Sequence, residues 1–524
     1  MRGALLVAGA SSEVGKSVIA AGLCRWLARQ GVRVAPFKAL NMSLNSFVTP
    51  EGAEIGRSQA VQAAAAGIEP TADMNPVLLK PGGDGRTHVV LGGQPLTEVD
   101  PAGYRAQSAG LFRHALDSLA RLRREFDVVI CEGAGSPAEI NLRDTDIANM
   151  GLARAAGLPV IVTGDIDRGG VFAALYGTLA LLEPADQALV AGFVINKFRG
   201  SAALLSGGLD QLTRLTGRPV LGVVPWQEGL WLDAEDSLSL DARDPAEAQA
   251  DSGVAVTGDR GMDTGPDVLR VAVVRLPRIS NFTDVDALAA EPGVLVRFAT
   301  RPAELADADL VVLPGSRATV ADLGWLNARG LAGAIAARAA RNQPVLGICG
   351  GYQMLASRID DRVESGVGVV RALGLLPVSV EFTASKTLGR PVTHTTGTVV
   401  TGYQIHHGQV TVHGQAEPFP GGCRAGAVWG TSWHGTLEND EFRRVFLTEV
   451  ATAAGRDFRP APGTDFAAVR EARLNRLADL TTRHLDTTAL SRLITGGPPA
   501  SLPLIPPAGS YPPAPGVQAR SGQC

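Results

Sequence analysis

Between Pro344 and Ala356 an apolar run, Pro-Val-Leu-Gly-Ile, stops at Cys349. Gly350 and Gly351 follow, and a helix-like apolar pattern then resumes through Tyr352, Met354 and Leu355. The pattern predicts a strand, a sharp turn and a helix, with the thiol on the turn. A nucleophile elbow needs small neighbours because its backbone is strained and crowded, and Gly347, Gly350 and Gly351 supply them. A thiol at a helix N-terminus also sits in the positive end of the helix dipole, which favours thiolate. The plainer reading is a buried core cysteine, the commonest fate of an isolated Cys.

At 524 residues the chain is too long for one ordinary domain. A hydrophobic content of 45% with 19% charged residues is that of a globular protein, and a net charge of −4 gives no reason to expect a nucleic-acid partner. No apolar run is long enough to span a bilayer, so no membrane partner is expected. The apolar start at Ala4–Ala8 is short and reads as a first strand rather than a leader. The cysteines Cys24, Cys131, Cys349, Cys423 and Cys524 are odd in number and lack metal-type spacing. That fits a reducing cytoplasm without disulfides or a zinc site.

The run Leu5–Ala8 leads into Gly9-Ala-Ser-Ser12-Glu-Val-Gly15-Lys16-Ser17, followed by an apolar-periodic helix to about Arg29. A strand, a glycine-rich loop and a helix are what a phosphate-binding loop requires. Loop N–H groups cradle the phosphates of ATP, Lys16 reaches the terminal ones and the Ser17 hydroxyl ligates Mg²⁺. Ala10 stands where the usual spacing puts the first glycine, and Gly9 is one residue early. The alternative is a glycine-rich turn that merely starts a helix. Further apolar runs end at Lys38, Glu132, Asp165, Asn196-Lys197 and Pro225. Strands alternating with helical stretches imply right-handed βαβ units and a parallel sheet.

Two polar segments are unusually rich in amides and mixed charge: one contains Asn41, Asn45, Arg57, Gln59 and Asn75, the other Asn141, Arg143, Asp146 and Asn149. Such loops suit a ligand with many amides and carboxylates, each of which needs a placed partner, although Asn and Asp are also ordinary turn residues. Residues 241–267 read as a linker, and a new sheet starts at 268. Pro314-Gly315 is a tight turn after an apolar strand. Beyond about Leu493 the chain is proline-rich, with too little apolar periodicity to predict a fold. A catalytic thiol needs a base, and His394, His406, His407, His413 and His434 are the candidates in this half.

Gly347-x-Cys349-x-Gly351-x-Gln353 resembles the nucleophile motif of class I glutamine amidotransferases. The resemblance implies that Cys349 attacks the side-chain amide of glutamine, with Gly350 and the Gly315 turn forming the oxyanion hole and Gln353 on the glutamine side. Trp433-His434-Gly435 resembles the catalytic His-Gly segment of the same enzymes, which singles out His434. The acid usually found two residues after that histidine is Thr436 here, and Glu438 is at the wrong spacing, so a Cys–His dyad with a weak base is expected.

The loop spacing ending in Gly15-Lys16-Ser17 is similar to that of dethiobiotin synthetase and its relatives, which makes Lys38 a ligand-side residue and Glu132 a magnesium-side acid. Asn196 resembles a base-recognition residue of P-loop enzymes, leaning to ATP. Nearly all of residues 1–230, with the Cys349 region and Arg278–Asp284, resembles the cobyric acid synthase family. In Tyr403-Gln404-Ile405-His406 one departure stands out, Gln404 for a glutamate.

The resemblance implies an α/β chain of two doubly wound domains. Residues 1–240 are expected to form a dethiobiotin synthetase-like P-loop domain and 268–493 a flavodoxin-like amidotransferase domain, while composition makes 241–267 a linker and 494–524 a disordered tail. The resemblance also implies ATP, Mg²⁺ and glutamine as reactants, a corrinoid substrate contacted by Lys38, Asn41, Asn45, Arg57 and Asp146, and a cytoplasmic location. It leaves self-association open. The rival expectations are a cobyrinic acid a,c-diamide synthase-type ligase and a non-enzymatic ParA-like regulator.

Overall fold

The computed structural model describes residues 1–82, 87–227, 267–395 and 397–506. The expected linker, apart from Asp267, and the tail beyond 506 lie outside the described residues. Two compact units are present, each α/β.

The first unit comprises Met1–Ala39, Leu119–Trp226 and the described part of Leu477–Cys524. Its core is a six-stranded sheet in the spatial order Val220–Pro225, Val190–Phe198, Val160–Asp165, Gly3–Gly9, Val128–Glu132 and Val34–Phe37. All pairings are parallel. The central strands are continuous runs of Val, Leu, Ile and Ala, buried along their length, as strands covered on both faces must be. The chain leaves Gly3–Gly9 in one direction and later crosses it in the other. The carboxyl end of that strand is therefore a topological switch point, where open α/β sheets bind ligands.

The second unit comprises Leu40–Ser118 and the described part of Gln227–Arg476. Its main sheet runs Val294–Ala299, Leu269–Val274, Leu310–Leu313, Val345–Ile348, Val428–Thr431, Gly422–Ala425 and Glu417–Phe419. The first five strands are parallel and the last two antiparallel. Numbered along the chain, the parallel five have the order 2-1-3-4-5 of flavodoxin-like sheets. Alternate residues feed two cores. Val271 and Val273 face one layer with Trp429 and Phe446, while Ala272 and Val274 face the other with Tyr352 and Leu355, the two-residue period of a sheet covered on both sides.

The compact units depart from a linear division in two places. Residues 40–118 lie within the expected P-loop domain but pack as part of the second unit. They carry a four-stranded sheet of their own, Leu40–Met42, Val77–Pro81, Thr87–Leu91 and Gln94–Val99. The chain from Leu477 returns to the first unit. Leu485 bridges Gly222, and the helix Thr487–Gly496 lies so close to Gly3 that a side chain there would meet the Ile494 carbonyl.

The early tail is fixed, contrary to the expectation of disorder from 494 onward. The fully buried Arg218 guanidinium donates to the carbonyls of Val190, Thr216, Gln187 and Pro503. Gln187 makes a reciprocal pair of hydrogen bonds with the Ile505 backbone. Burial lowers the Arg218 pKa to about 10, so the group keeps its charge at neutral pH. Arg218→Met strands several buried carbonyls, and orphaned buried polar groups cost about 1–3 kcal/mol each. Chemical denaturation is expected to show a loss of about 2–4 kcal/mol, with earlier proteolysis after Gly496.

Candidate active sites

In the first unit, the P-loop follows Gly3–Gly9 and opens the helix Lys16–Arg29, whose first N–H groups have no side-chain cap. Those orphan donors suit an anion. Glu13 and Gly15 have φ of 58° and 94°, in the left-handed region, which curls the loop so that backbone amides face inward. Gly15 is obligatory, since a Cβ there would fall 2.1 Å from Asn196 Nδ2. The early Gly9 is explained in the same way: a Cβ there would meet Val14 Cγ2 at 2.6 Å. Ala10 instead continues the sheet, donating its N–H to the Thr163 carbonyl.

Lys16 is held over the loop by the carbonyls of Ser11 and Gly135. Ser17 Oγ donates to Glu132 Oε1 at 2.8 Å, and Lys38 Nζ reaches the same oxygen at 2.9 Å. Lys38 and Glu132 are buried, at 3% and 0% side-chain exposure. The Ser17 hydroxyl and the Glu132 carboxylate are adjacent hard oxygen donors, the type and number with which a protein holds Mg²⁺ alongside phosphates.

The other expected ligand residues of this unit have internal partners. Asn196 donates to the Val14 carbonyl at 2.9 Å and so braces the loop. Asp146 caps the start of the helix Met150–Ala156, accepting from the N–H groups of Ala148, Asn149 and Gly151. Ser12 is exposed in the loop.

In the second unit, four loops at the carboxyl edge of the main sheet converge. Cys349 stands between the strand Val345–Ile348 and the helix Gly350–Met354, with φ 50° and ψ −109°. A non-glycine residue is held there only at a cost of about 1–3 kcal/mol. The glycines around it are packed to the limit: Cβ atoms on Gly351 and Gly350 would lie 1.9 Å from the Leu313 carbonyl oxygen and 2.7 Å from the Ser316 nitrogen. Cys349 is 6% exposed. The Gly315-Ser316 turn pairs with Ile279-Ser280, and a Cβ on Gly315 would come within 3.2 Å of His434 Cε1.

His434, 1% exposed, lines the same cleft as Cys349, whose Sγ donates to the Ile405 carbonyl at 3.8 Å. His434 Nδ1 lies 2.7 Å from Asp284 Oδ2, while Asp284 Oδ1 accepts the Gly435 N–H at 2.8 Å. The expected dyad is therefore corrected to a Cys–His–Asp constellation. The acid comes not from the His strand but from the loop after the first parallel strand, 150 residues earlier in the chain. Glu438 pairs with Arg57 and Arg470 instead, and Thr436 is buried at the start of a short helical turn. Burial alone would depress the imidazolium, but Asp284 and Cys349 outweigh it and raise His434 to about 10.

Tyr403 completes the support. Its backbone exchanges two hydrogen bonds with His434 and its ring stacks on the imidazole at 5.2 Å. Arg57 lies over the Phe47 and Tyr403 rings and donates to the Tyr403 hydroxyl.

Of the other histidines, His406 and His407 line the same cleft but are tied to backbone carbonyls, those of Gly408 and Thr383. His413 bonds Ser379. His394 lies on the hairpin Val392–Thr395/Thr398–Thr401. His406, with burial the main cause, has its pKa lowered to about 4.

Cys349 and His434 open onto a cleft lined in part by Gln353, Thr319, Phe382 and, from residues 40–118, Leu44 and Lys80. Gln353 Oε1 accepts from Thr319 Oγ1 at 3.1 Å. The amide-rich segment is largely turned inward. Asn45 Oδ1 accepts the Asn281 N–H and Asn281 Oδ1 accepts the Ser46 N–H, both at 2.7 Å. Asn41 donates to Ser58 and Gln59. Lys80 and Lys386 each bind one oxygen of the fully buried Glu54.

Among the described residues, no helix is long and apolar enough to cross a membrane. The family model of the CobQ/CobB/MinD/ParA nucleotide binding domain matches residues 5–240, and that of the CobB/CobQ-like glutamine amidotransferase domain matches residues 270–442. A cobyric acid synthase of Frankia casuarinae is 63% identical over 97% of this chain and 100% of that protein. One of Streptomyces coelicolor is 62% identical over 97% and 99%, and one of Saccharopolyspora erythraea is 61% identical over 96% and 97%. On that identity across nearly the whole of both chains, this chain belongs to the cobyric acid synthase family and is a glutamine-hydrolysing, ATP-dependent carbon–nitrogen ligase.

Proposed function

We propose that the protein amidates the b, d, e and g carboxylates of adenosylcobyrinic acid a,c-diamide to give adenosylcobyric acid, with glutamine as nitrogen donor and ATP as activator. The single observation that carries the reading is the Cys349–His434–Asp284 arrangement, in a chain that also holds a complete P-loop.

In the glutaminase half, Cys349 Sγ attacks the amide carbon of glutamine. The carbonyl oxygen, now negative, is received by the backbone N–H of Gly350 and the Gly315-Ser316 turn. His434 delivers a proton to the departing nitrogen, so ammonia leaves and a γ-glutamyl thioester remains. His434 then takes a proton from water as it hydrolyses the thioester to glutamate. Asp284 fixes the imidazole with Nδ1–H toward itself, leaving the other ring nitrogen for the sulfur.

In the synthetase half, a substrate carboxylate attacks the γ-phosphorus of ATP, giving an acyl-phosphate and ADP. The loop N–H groups and Lys16 absorb charge on the transferred group. Ser17 and Glu132 would hold Mg²⁺, which neutralises phosphate charge when bound. Ammonia attacks the acyl carbon and phosphate leaves, so each turnover exchanges one carboxylate oxygen for nitrogen.

Mass spectrometry of the corrinoid product tests the assignment. Products carrying one amide substitution per carboxylate, at b, d, e and g, are expected. Conversion only at a and c, starting from cobyrinic acid, would contradict it and identify the other ligase. Lys16→Ala is expected to lower amide formation about 10²–10³-fold while glutamine hydrolysis persists. Equal loss of both would place Lys16 in the fold rather than in phosphoryl transfer.

A further inference from the structure

The cleft that holds Cys349 has a reactive end and a charged end. The charged end contains Arg317, Glu364, Lys80 and Lys386. Lys80 and Lys386 share the two oxygens of Glu54 and form a closed ionic wall. Arg317 and Glu364 form a separate pair, with Arg317 Nη1 2.6 Å from Glu364 Oε1 and side chains 13% and 17% exposed.

Both members are held by the backbone. Arg317 directly follows the Gly315-Ser316 turn, and its N–H donates to the Arg278 carbonyl. Glu364 lies in a loop pinned by Asp361, whose carboxylate accepts the N–H groups of Val363, Glu364 and Ser365. A rigid cation and a rigid anion therefore stand side by side in the cleft of the nucleophile. A guanidinium has five donors in a planar fork and a carboxylate has about four acceptor sites, so one mutual bond leaves each able to take a second partner.

We propose that Arg317 and Glu364 are the specificity residues for the amino-acid end of glutamine: Arg317 receives the α-carboxylate and Glu364 the α-ammonium. The inference rests on the glutaminase reading above. It explains how the site admits glutamine and rejects other primary amides. An amide lacking either charged group leaves one member of the pair without its second partner, and lost charged hydrogen bonds are the costly ones.

The test uses the full-length protein and compares glutamine with two truncated amides: 4-carbamoylbutanoate, which lacks the amino group, and 4-aminobutanamide, which lacks the carboxylate. In the unsubstituted protein each is expected to show a KM about 10–100-fold above that of glutamine, the equivalent of one charged hydrogen bond. Glu364→Gln should raise the KM of glutamine by a similar factor with kcat within a few-fold. It should erase the preference for glutamine over 4-carbamoylbutanoate while keeping the preference over 4-aminobutanamide. Arg317→Met should do the reverse, and Arg317→Lys should fall between. If the unsubstituted protein hydrolyses all three amides with equal KM, or if both variants keep both preferences, the proposal is overturned. A protein that fails to hydrolyse glutamine at all would instead overturn the glutaminase reading.

Discussion

Replacing Cys349 by alanine is expected to abolish glutamine-dependent amide formation, by about 10⁴-fold or more, and to leave synthesis from concentrated ammonium salts. The sulfur forms the covalent intermediate, and no neighbouring group can substitute for it. Alanine at the elbow keeps the crowded geometry, because the neighbouring glycines and not the thiol relieve the contacts with Leu313 and Ser316. Ammonium can still reach an acyl-phosphate made by the synthetase half. Loss of both activities would mean that Cys349 supports the fold and not the chemistry.

The second large effect is expected at Asp284. Asp284→Asn keeps the shape but offers an NH₂ to His434 Nδ1, so the imidazole must turn its other tautomer toward the sulfur. A loss of about 10²–10⁴-fold in glutaminase kcat is expected, with little change in KM. This is a positioning effect, since Asp284 touches His434 and not the glutamine. A role confined to folding would lower stability without altering the pH profile.

Stability offers an independent readout. Against burial, Asp284 and Cys349 raise His434 from its ordinary value near 6.5 to about 10. The folded protein therefore binds a proton between these values that the unfolded chain has released. The resulting stabilisation is complete below pH 6.5 and is lost as pH rises toward about 10. Asp284→Asn should flatten that slope, which denaturation at pH 6.5, 8 and 9.5 would measure. An unchanged slope would contradict the pairing.

What the sequence disclosed follows from how local each signal was. Cys349 with its glycines, and Lys16 with Gly15 and Ser17, are short contiguous patterns with fixed geometry, and both stand where the pattern put them. The neighbours of His434 single it out from several histidines, and among those described it is the one that pairs with Asp284. Asp284 is not apparent from the sequence around His434 because it lies 150 residues earlier in the chain. In a parallel sheet, loops from distant strands meet at one edge, so spatial neighbours need not be sequence neighbours. The signal that could have found it was Asp284 itself, the acid in the polar loop just after the first strand of the second sheet.

The amide-rich residues are harder to read from the sequence for a different reason. Asn45 and Asn41 are polar, and polarity alone does not tell a ligand contact from an internal hydrogen bond. Asp146 is a helix cap, an equally common use of Asp before a helix. The early tail escaped because backbone carbonyls, not an apolar stripe, fix it to Arg218 and Gln187. Such anchoring leaves no periodicity to read.

The most direct measurement is transfer of isotope from glutamine labelled with ¹⁵N at the side-chain amide, in the presence of ATP, corrinoid acid and excess unlabelled ammonium. The unsubstituted protein should place ¹⁵N in the new corrinoid amides despite the competing ammonium, releasing one glutamate for each labelled amide and one ADP for every amide formed. Cys349→Ala should place only unlabelled nitrogen there. Amides formed by the unsubstituted protein without label, or without glutamate and ADP appearing, would show that the thiol does not supply the nitrogen.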